Sequence, residues 1–298
     1  MKVLCRKNYP HWFNKHPRIQ IVKGDLFSNH LKNEFENIDG VFHLAAIAKP
    51  WVKQKSFYHK INVEGTSNIL KLAELTGVKK VVVTSSAGAL THKEGSSLVD
   101  ESQINIYPET EYEKSKIEVL KLIQHWRGKL EVCAVSPSRV YGPGILFTSN
   151  AVTKMILGYA KGTWRFVPGN GNSTGNYVFI DDVVEGHLLA MQNGKGNENY
   201  LLGGENISYN SFFDKIGDVS GRKRNMIHIP LSWLIAFGKL NEVYSNLLGL
   251  PPIITTPWIK KYHKNWGCTS KKAALSLGYK PLGFNEGVKQ TLSFFGYL

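Results

Sequence analysis

Short apolar runs alternate with segments of helical periodicity over the first half of the chain. Four runs are rich in β-branched residues and end in small or polar side chains: RIQIVKGDL at 18–26, DGVFHLAA at 39–46, KKVVVTSSA at 79–87 and LEVCAVSPS at 130–138. Runs of this kind are typical of buried parallel strands. Between them, residues 62–77 and 109–126 carry apolar side chains three and four positions apart, which predicts helices. The alternation predicts an α/β fold with a doubly wound parallel sheet.

The pattern becomes mixed after residue 143. The stretch PGNGNSTGNYVFIDDVVEGHLLAM predicts a Gly/Asn-rich loop, a strand, and a helix capped by Asp181 or Asp182. The remainder, with prolines at 230, 251, 252 and 257, predicts a helical lobe. We therefore expect a sheet core over 1–143 and a substrate-binding region over 144–298, from which 176–202 returns to the core.

Composition narrows the class of protein. The chain has 298 residues and 42% hydrophobic content, enough for a substantial buried core. Its 37 basic and 23 acidic side chains give a net charge of +14. Because the lysines are spread out and neither zinc-finger spacing nor an RNA-binding signature accompanies them, a solvated basic exterior is favoured over nucleic-acid binding.

The cysteines and the most apolar segment further restrict the class of protein. Cys5, Cys133 and Cys268 are odd in number and far apart, which argues against a disulfide framework or a metal site and favours a reducing, cytoplasmic compartment. The segment IPLSWLIAFGKL at 229–240 is shorter than the roughly 20 residues of a membrane span. It predicts a buried or interfacial helix instead.

Candidate chemistry lies on the second predicted helix and on the third predicted strand. Tyr112 and Lys116 are four residues apart and share a helix face. A nearby ammonium favours the phenolate and would make Tyr112 a general acid/base. Ser86 ends a strand, where it can bind a carbonyl oxygen while Tyr112 moves the proton, as hydride transfer with a nicotinamide requires. Two structural explanations stay open for the individual residues. Tyr112 and Lys116 can be a pair on a solvated helix face, and Ser86 can be a polar strand end or a helix cap.

Eight motifs in order carry a family resemblance. They are VKGDL, FHLAA, NVEGTSN, VVVTSSAGA, YEKSK, SPSRVYGPG, YVFIDDVVEGHLLA and YLLGGEN. Together they resemble the extended short-chain dehydrogenase/reductase superfamily, also described as NAD-dependent epimerase/dehydratase, over essentially the whole chain. The closing segments PPIITTPW and KKAALSLGYKPLGFNEGVKQTL are most similar to the dihydroflavonol reductase and 3β-hydroxysteroid dehydrogenase branch. That branch favours a ketone reductase or alcohol dehydrogenase over a sugar-nucleotide epimerase.

The resemblance implies a Rossmann-type core and specific roles for residues. Tyr112 would be the catalytic acid/base, Lys116 would hold the nicotinamide ribose and lower the Tyr112 pKa, and Ser86 would orient the substrate oxygen. The remaining cofactor contacts would be Asp25 and Leu26 at the adenine, Ala45 and Ala46 at the ribose and phosphates, and Pro137 and Val140 at the nicotinamide. His43 would position the loop, and Asn62 and Asp182 would tie loops to helix ends. No metal site is implied.

The family's opening element has no counterpart in this sequence. Members begin with a strand and a GxxGxxG turn that opens a helix and binds the cofactor pyrophosphate. Nothing upstream of residue 140 matches that turn. MKVLCRK at 1–7 fits the family's second strand, which ends in Arg6-Lys7 where an acid would select NAD. Arg6 would pair with a 2′-phosphate, so NADP is the expected cofactor and NAD the alternative.

A missing first strand has a structural consequence. In the order 3-2-1-4-5-6 that strand is central, and its loss leaves a slot of about 10 Å unless the sheet closes with altered register. We expect a βα unit of roughly 25 to 30 residues before Met1 in the intact product. For residues 1–298 themselves we expect weak or no dinucleotide binding.

Three functions remain open at this point. The first is NADP-dependent oxidation or reduction of a secondary alcohol or ketone. The second is sugar-nucleotide epimerisation or dehydration with retained NAD(P), and the third is a non-catalytic dinucleotide-binding relative or an incomplete fragment. A small-molecule substrate is expected, with neither nucleic acid nor a membrane span. Similar proteins often pair through a helical bundle, to which 109–126 would contribute, so a homodimer is compatible with the sequence.

Overall fold

The computed structural model describes residues 1–6, 13, 15–92, 97–252, 255–261 and 264–298. The strands are β1 Lys2–Cys5, β2 Gln20–Lys23, β3 Gly40–His43, β4 Lys80–Thr84, β5 Leu90–His92, β6 Val99–Ile104, β7 Glu131–Pro137, β8 Arg139–Tyr141, β9 Phe166–Pro168, β10 Thr174–Phe179, β11 Asn199–Leu202, β12 Glu205–Ser208 and β13 Ile227–Ile229. The α-helices are α1 Leu31–Glu34, α2 Ser56–Tyr58, α3 Gly65–Leu75, α4 Glu111–Gln124, α5 Ala151–Lys161, α6 Ile180–Asn193, α7 Tyr209–Ser220, α8 Leu231–Leu248, α9 Thr256–Lys261, α10 Lys271–Leu277 and α11 Phe284–Phe294.

A parallel sheet with the order β11-β7-β4-β3 forms the centre of the structure. Alternate residues of β4 point to opposite faces, as the period of a strand requires. Val81 and Val83 pack in the core shared with α3 and α4, whereas Val82 packs in the core shared with α6. Helices therefore cover both faces, and the predicted doubly wound α/β fold is confirmed.

The first two strands stand apart from this sheet. β1 and β2 pair in parallel, with Val3 opposite Ile21, and Leu4 packs against the core under α3. Within the described residues β1 makes no ladder with β3, and the four-stranded sheet ends at β3. The two sheets are thus separated between β1 and β3. This is the place where the sequence predicts a slot left by the missing first strand.

The second half of the chain builds a lobe and also returns to the main sheet. Strands β8, β10 and β12 form a second sheet, and α5, α7 and α11 pack on it around buried aromatic side chains. α6 packs on β4 and β7, and β11 pairs with β7, so this part of the chain lies on the core. The lobe contains the short strands β9, β12 and β13 besides its helices.

The expected cap of α6 is wrong. The helix begins at Ile180 after an extended Phe179, and neither Asp181 nor Asp182 occupies the capping position. Asp182 Oδ2 instead accepts a hydrogen bond from the backbone N–H of Leu282 at 2.9 Å. The carboxylate thus ties α6 to the segment before α11, the connecting role that the family resemblance implies for it.

Candidate active site

The first turn of α4 is fixed by a reciprocal cap. Thr110 Oγ1 accepts from the Glu113 N–H at 3.2 Å, and Glu113 Oε2 accepts from the Thr110 N–H at 3.2 Å. This capping box satisfies donors that a helix start otherwise leaves unpaired. Glu113 also forms an ion pair with Lys261 of α9, although its own side chain is almost fully buried. The cap and the ion pair together hold the turn that carries Tyr112.

Ser86 lies next to Tyr112. The Ser86 side chain favours the ionised form of the Tyr112 hydroxyl and so acts to lower the pKa of Tyr112. Ser86 Oγ also accepts from the Gly88 N–H at 3.2 Å, which caps the short 3-10 turn of residues 87–89. Two of the three residues expected to be catalytic therefore meet, and the cap explanation for Ser86 applies at the same time.

Lys116 lies one helical turn beyond Tyr112 and is buried, with 4% of the residue exposed. Its Nζ donates to the Thr84 carbonyl oxygen at 2.7 Å, the one acceptor that the described residues offer it. Burial lowers the pKa of Lys116 from its usual 10.5 to about 8. An ammonium has three N–H donors, so this buried cation retains donors for another group.

The expected lowering of the Tyr112 pKa is not found. Burial raises the pKa of Tyr112 above its usual 10.0, and Ser86 only partly opposes that effect. Burial is the largest cause, and the Lys116 ammonium is itself bonded to the Thr84 carbonyl at the end of β4. Tyr112 is consequently a protonated phenol at neutral pH.

Asn62 supports the first turn of α4 through a chain of hydrogen bonds. Its side chain accepts from the Ile47 N–H at 2.7 Å and donates to Ser115 Oγ at 2.9 Å. Ser115 in turn donates to the Tyr112 carbonyl at 2.7 Å. Asn62 lies in a π-helical turn, His59–Glu64, that leads into α3; such turns are frequent at functional sites. Asn62 ties the loop after β3 to α4, as expected.

His43 is neutral and serves as a structural donor. Thr66 Oγ1 donates its proton to the Asn62 carbonyl at 2.5 Å. His43 Nε2 lies 3.0 Å from Thr66 Oγ1 and must therefore donate the proton of the bond between these two atoms. Burial, together with the positive charge of Lys116, lowers the pKa of His43 to about 4. These contacts agree with a positioning role for His43.

The other expected cofactor residues lie mainly where strands end. Arg6 follows β1 and is exposed, and Ala45 and Ala46 follow β3; Pro137 ends β7, and Val140 lies within β8. Ala45, Ala46 and Pro137 lie at the carboxyl ends of β3 and β7, in the same parallel sheet as β4, so these three residues share an edge with Ser86. Arg6 follows a strand of another sheet, and Val140 lies within a strand of a further sheet. Lys7 lies outside the described residues.

Asp25 and Leu26 have clear structural contacts of their own. Asp25 Oδ1 accepts from the Phe27 N–H at 2.9 Å in the turn after β2. Leu26 is buried against Gly65, where a Cβ atom would lie 2.6 Å from Leu26 Cδ1. The turn therefore brings α3 close to the end of β2.

A cavity of about 380 Å³ opens beside Tyr112. It is lined by the loop after β3, the start of α4, and α8 with the segment before α9: Pro50, Trp51, Val52, Lys55, Tyr58, Glu109, Thr110, Glu111, Tyr112, Glu242, Ser245, Pro252, Thr255 and Pro257. Two of its three carboxylates are in ion pairs, Glu109 with Lys264 at 2.8 Å and Glu111 with Lys114 at 2.7 Å. Among these lining residues, Lys55 is the one cation.

The sequence model of the NAD dependent epimerase/dehydratase family matches residues 2–203. The chain belongs to this family. Its enzymes use NAD(P), and the resemblance deduced from the motifs is confirmed. The chain is 26% identical over 301 residues to the 3beta-hydroxysteroid-dehydrogenase/decarboxylase isoform 1 of Arabidopsis thaliana, covering 94% of this chain and 68% of that protein. It is 26% identical over 300 residues to the decarboxylating sterol-4-alpha-carboxylate 3-dehydrogenase of Mus musculus, covering 95% and 81%.

Solved structures give the same fold. The crystal structure of gox2253 superposes with a TM-score of 0.80 at 29% identity, over 99% of this chain and 90% of that one. UDP-glucose 4-epimerase of Thermotoga maritima, with UDP-glucose, gives a TM-score of 0.78 at 21% identity over the same shares. The family member described here therefore has a Rossmann-type core.

Two parts of the site were not foreseen from the sequence. The first is the Thr84–His187 contact: Thr84 Oγ1 lies 2.7 Å from His187 Nε2, and His187 Nδ1 donates to the Val183 carbonyl at 2.7 Å. The motifs containing both residues were recognised, but no local signal indicated that the side chains meet. The second is the cavity wall from α8, because Glu242 and Ser245 are distant from Tyr112 along the chain.

Replacement of the buried Lys116 tests how much its charge destabilises the folded protein. We expect Lys116→Met to raise the free energy of unfolding at pH 7 by about 1–3 kcal/mol, because the pKa change from 10.5 to about 8 corresponds to about 3 kcal/mol, less about 1 kcal/mol for the lost hydrogen bond. Denaturant unfolding checks this. Lys114→Met, an exposed lysine on the same helix, is the control and should change stability by less than about 0.5 kcal/mol.

The pH dependence gives the sign of the effect. Between pH 8 and 10.5 the unfolded wild-type chain binds the Lys116 proton and the folded one does not. Wild-type stability relative to Lys116→Met should therefore increase with pH through this window. A destabilised Lys116→Met, or a difference independent of pH, would contradict the buried-ammonium interpretation.

Proposed function

We propose that this protein is an NADP-dependent oxidoreductase that interconverts a secondary alcohol and a ketone. The observation that carries the proposal is the placement of the Ser86 side chain beside the Tyr112 hydroxyl, with the buried Lys116 ammonium one helical turn away. A proton donor, an oxygen-orienting hydroxyl and a cation are the groups that carbonyl reduction requires beside a hydride donor.

The nicotinamide half of the cofactor fits the residues present. Lys116 has N–H donors beyond its bond to Thr84, and ribose hydroxyls are suitable acceptors. Pro137 and Val140 offer apolar surface for the nicotinamide ring. When bound, the nicotinamide supplies or accepts the hydride. Elsewhere on the cofactor, we propose Asp25 and Leu26 as contacts of the adenine, and Ala45 and Ala46 as contacts of the ribose and phosphates.

Ser86 and Tyr112 have different roles in the proposed proton transfer. Ser86 donates to the substrate oxygen and orients it. Tyr112 gives its proton to that oxygen during reduction and removes it during oxidation. Because burial raises the Tyr112 pKa, the phenol is protonated at neutral pH and is ready to act as the acid. This protonation state favours the reductive direction.

The cavity lining favours an uncharged substrate over a nucleotide sugar. A diphosphate is normally bound by several cations or backbone N–H donors. The described lining offers Lys55 together with three carboxylates, two aromatic rings besides Tyr112, and three prolines. These residues suit the apolar body of a ketone. The retained-cofactor epimerase alternative is therefore the less favoured one.

NADP preference is proposed from Arg6. Its side chain is exposed after β1 and forms no ion pair with a described residue. The 2′-phosphate of NADP would give the guanidinium a charge-assisted partner. The described residues contain no Gly-rich turn from strand to helix at this edge, so we expect the pyrophosphate to be bound weakly.

Three further expectations belong to the proposal. Residues 1–143 form the cofactor core, and 144–298 form the substrate region, with 176–202 on the core. The cytoplasm is the proposed compartment, since the three cysteines are free thiols. A homodimer through α4 is proposed from the family resemblance alone.

Tyr112→Phe tests the mechanism. We expect turnover to fall about 10²–10⁴-fold, the usual contribution of a general acid, with stability nearly unchanged. Consumption of reduced cofactor is followed with a panel of ketones at millimolar NADPH, so that weak binding does not limit the rate. Tyr107→Phe, at an exposed tyrosine, is the control. Unchanged turnover in Tyr112→Phe would exclude the mechanism, and conversion without net cofactor consumption would favour the epimerase alternative.

Arg6→Ala tests cofactor choice. Loss of one exposed charge-assisted contact should reduce the preference for NADPH over NADH about five- to tenfold. The ratio of kcat/KM for the two cofactors is the measurement. Lys23→Ala removes an exposed cation at the end of the neighbouring strand β2 and should leave the ratio unchanged. Equal effects of the two substitutions would remove Arg6 as the selector.

A further inference from the structure

Helix α8 exposes a row of large apolar side chains. Its members are spaced alternately four and three residues apart, with these exposed fractions: Trp233 74%, Phe237 51%, Leu240 71%, Tyr244 62% and Leu247 80%. At 100° per residue they fall within roughly 80° of arc on the helix. The row is about 21 Å long at 1.5 Å per residue.

A continuous row of this kind differs from scattered exposed residues. Single apolar side chains on a surface are ordinary, whereas contiguous patches mark interaction surfaces. The sequence predicts a buried or interfacial helix at 229–240, and the exposure of the row excludes the buried alternative for that face.

The opposite side of α8 is anchored to the protein. Glu242 accepts from the Thr256 N–H at 2.6 Å and from Thr256 Oγ1 at 3.2 Å. A Cβ atom at Gly238 would lie 2.4 Å from Ile259 Cδ1, so the two helices are in close contact there. Ser245 is buried. Gly238, Glu242 and Ser245 thus face the protein, whereas the row of large apolar side chains faces away from it.

Charge and residue type indicate what covers the row. The chain carries a net charge of +14. Lys239 on α8 and Lys260 on α9 are exposed and form no ion pair with a described residue. Tryptophan and tyrosine are the side chains enriched where a bilayer meets water. No helix in the described part of the chain is long and apolar enough to cross a bilayer.

We propose that this row is a membrane-docking surface, on which α8 lies in the headgroup region of a bilayer containing anionic lipid. A second copy of the chain fits less well. A full aromatic side chain presents about 150–250 Å². The row has three partly exposed aromatic side chains and two smaller leucines, which together amount to roughly 600 Å², below the about 800 Å² per partner of a stable dimer.

Docking has a consequence for access to the cavity. Glu242 and Ser245, on the anchored side of α8, line the cavity beside Tyr112. The docked helix would therefore separate that cavity from the lipid by about one helix diameter, about 10 Å. This placement suits a substrate that partitions into lipid, a consequence that rests on the proposed function, whereas the docking itself does not.

Vesicle flotation of the full chain tests the docking. We expect binding to vesicles of phosphatidylcholine with a minority of phosphatidylglycerol, weaker binding to phosphatidylcholine alone, and a decrease with added salt. The double variant Leu240→Ser/Leu247→Ser should bind at least tenfold more weakly. Leu75→Ser/Leu275→Ser removes two equally exposed leucines, on α3 and α10, and should bind like the wild type. Circular dichroism confirms that both variants are folded.

Several outcomes would overturn the proposal. They are absence of vesicle binding by the wild-type chain, equal binding by the two double variants, and insensitivity of binding to anionic lipid and salt. Sedimentation provides a separate check. A wild-type dimer that Leu240→Ser/Leu247→Ser converts to a monomer, without vesicle binding, would show that a second copy covers the row. None of these readouts depends on catalysis, so a failure of the proposed activity is distinguishable.

Discussion

The end of strand β4 joins the sheet to the helices on both of its faces. Thr84 pairs with Val135 in the ladder to β7, its carbonyl accepts from Lys116 on α4, and its hydroxyl contacts His187 on α6. Buried backbone and side-chain polar groups need such partners, because each unpaired one costs about 1–3 kcal/mol. The contacts of this strand end therefore fix the position of α4 along the sheet. In that position, Tyr112 lies beside Ser86.

The same arrangement places an ammonium where stability alone would favour a hydrocarbon. Burial lowers the Lys116 pKa and raises the Tyr112 pKa, so both shifts oppose ionised forms in a dry environment. Perturbed groups that cluster in one place are typical of functional sites. The capping box at Thr110 and the Asn62 side chain satisfy the polar groups around this turn with hydrogen bonds. These bonds hold the first turn of α4 in place despite the unfavourable burial of the Lys116 charge.

Local patterns in the sequence determine much of this fold, and long-range contacts determine the remainder. The β-branched runs before His43, Ser86 and Pro137 located three central strands, because parallel strands buried on both faces must be continuously apolar. Ser86 and Tyr112 could be paired from motif order. The predicted direction of the Tyr112 pKa shift was wrong, since the spacing of Tyr112 and Lys116 along α4 does not reveal the burial that raises this pKa. The contact of Asp182 with Leu282, and the cavity wall from α8, depend on how distant segments pack.

The uncovered side of β3 has a consequence for the protein in concentrated solution. Strand pairing leaves one side of β3 without a ladder among the described residues, and Phe42 and Leu44 beside it are 38% and 61% exposed. A row of open peptide groups flanked by apolar side chains is a template for adding strands from other molecules. The hazard of aggregation is thus concentrated at the sheet edge that leads to Ala45 and Ala46, the proposed contacts of the cofactor ribose and phosphates. A strand that pairs with this side of β3 would therefore protect the protein from self-assembly.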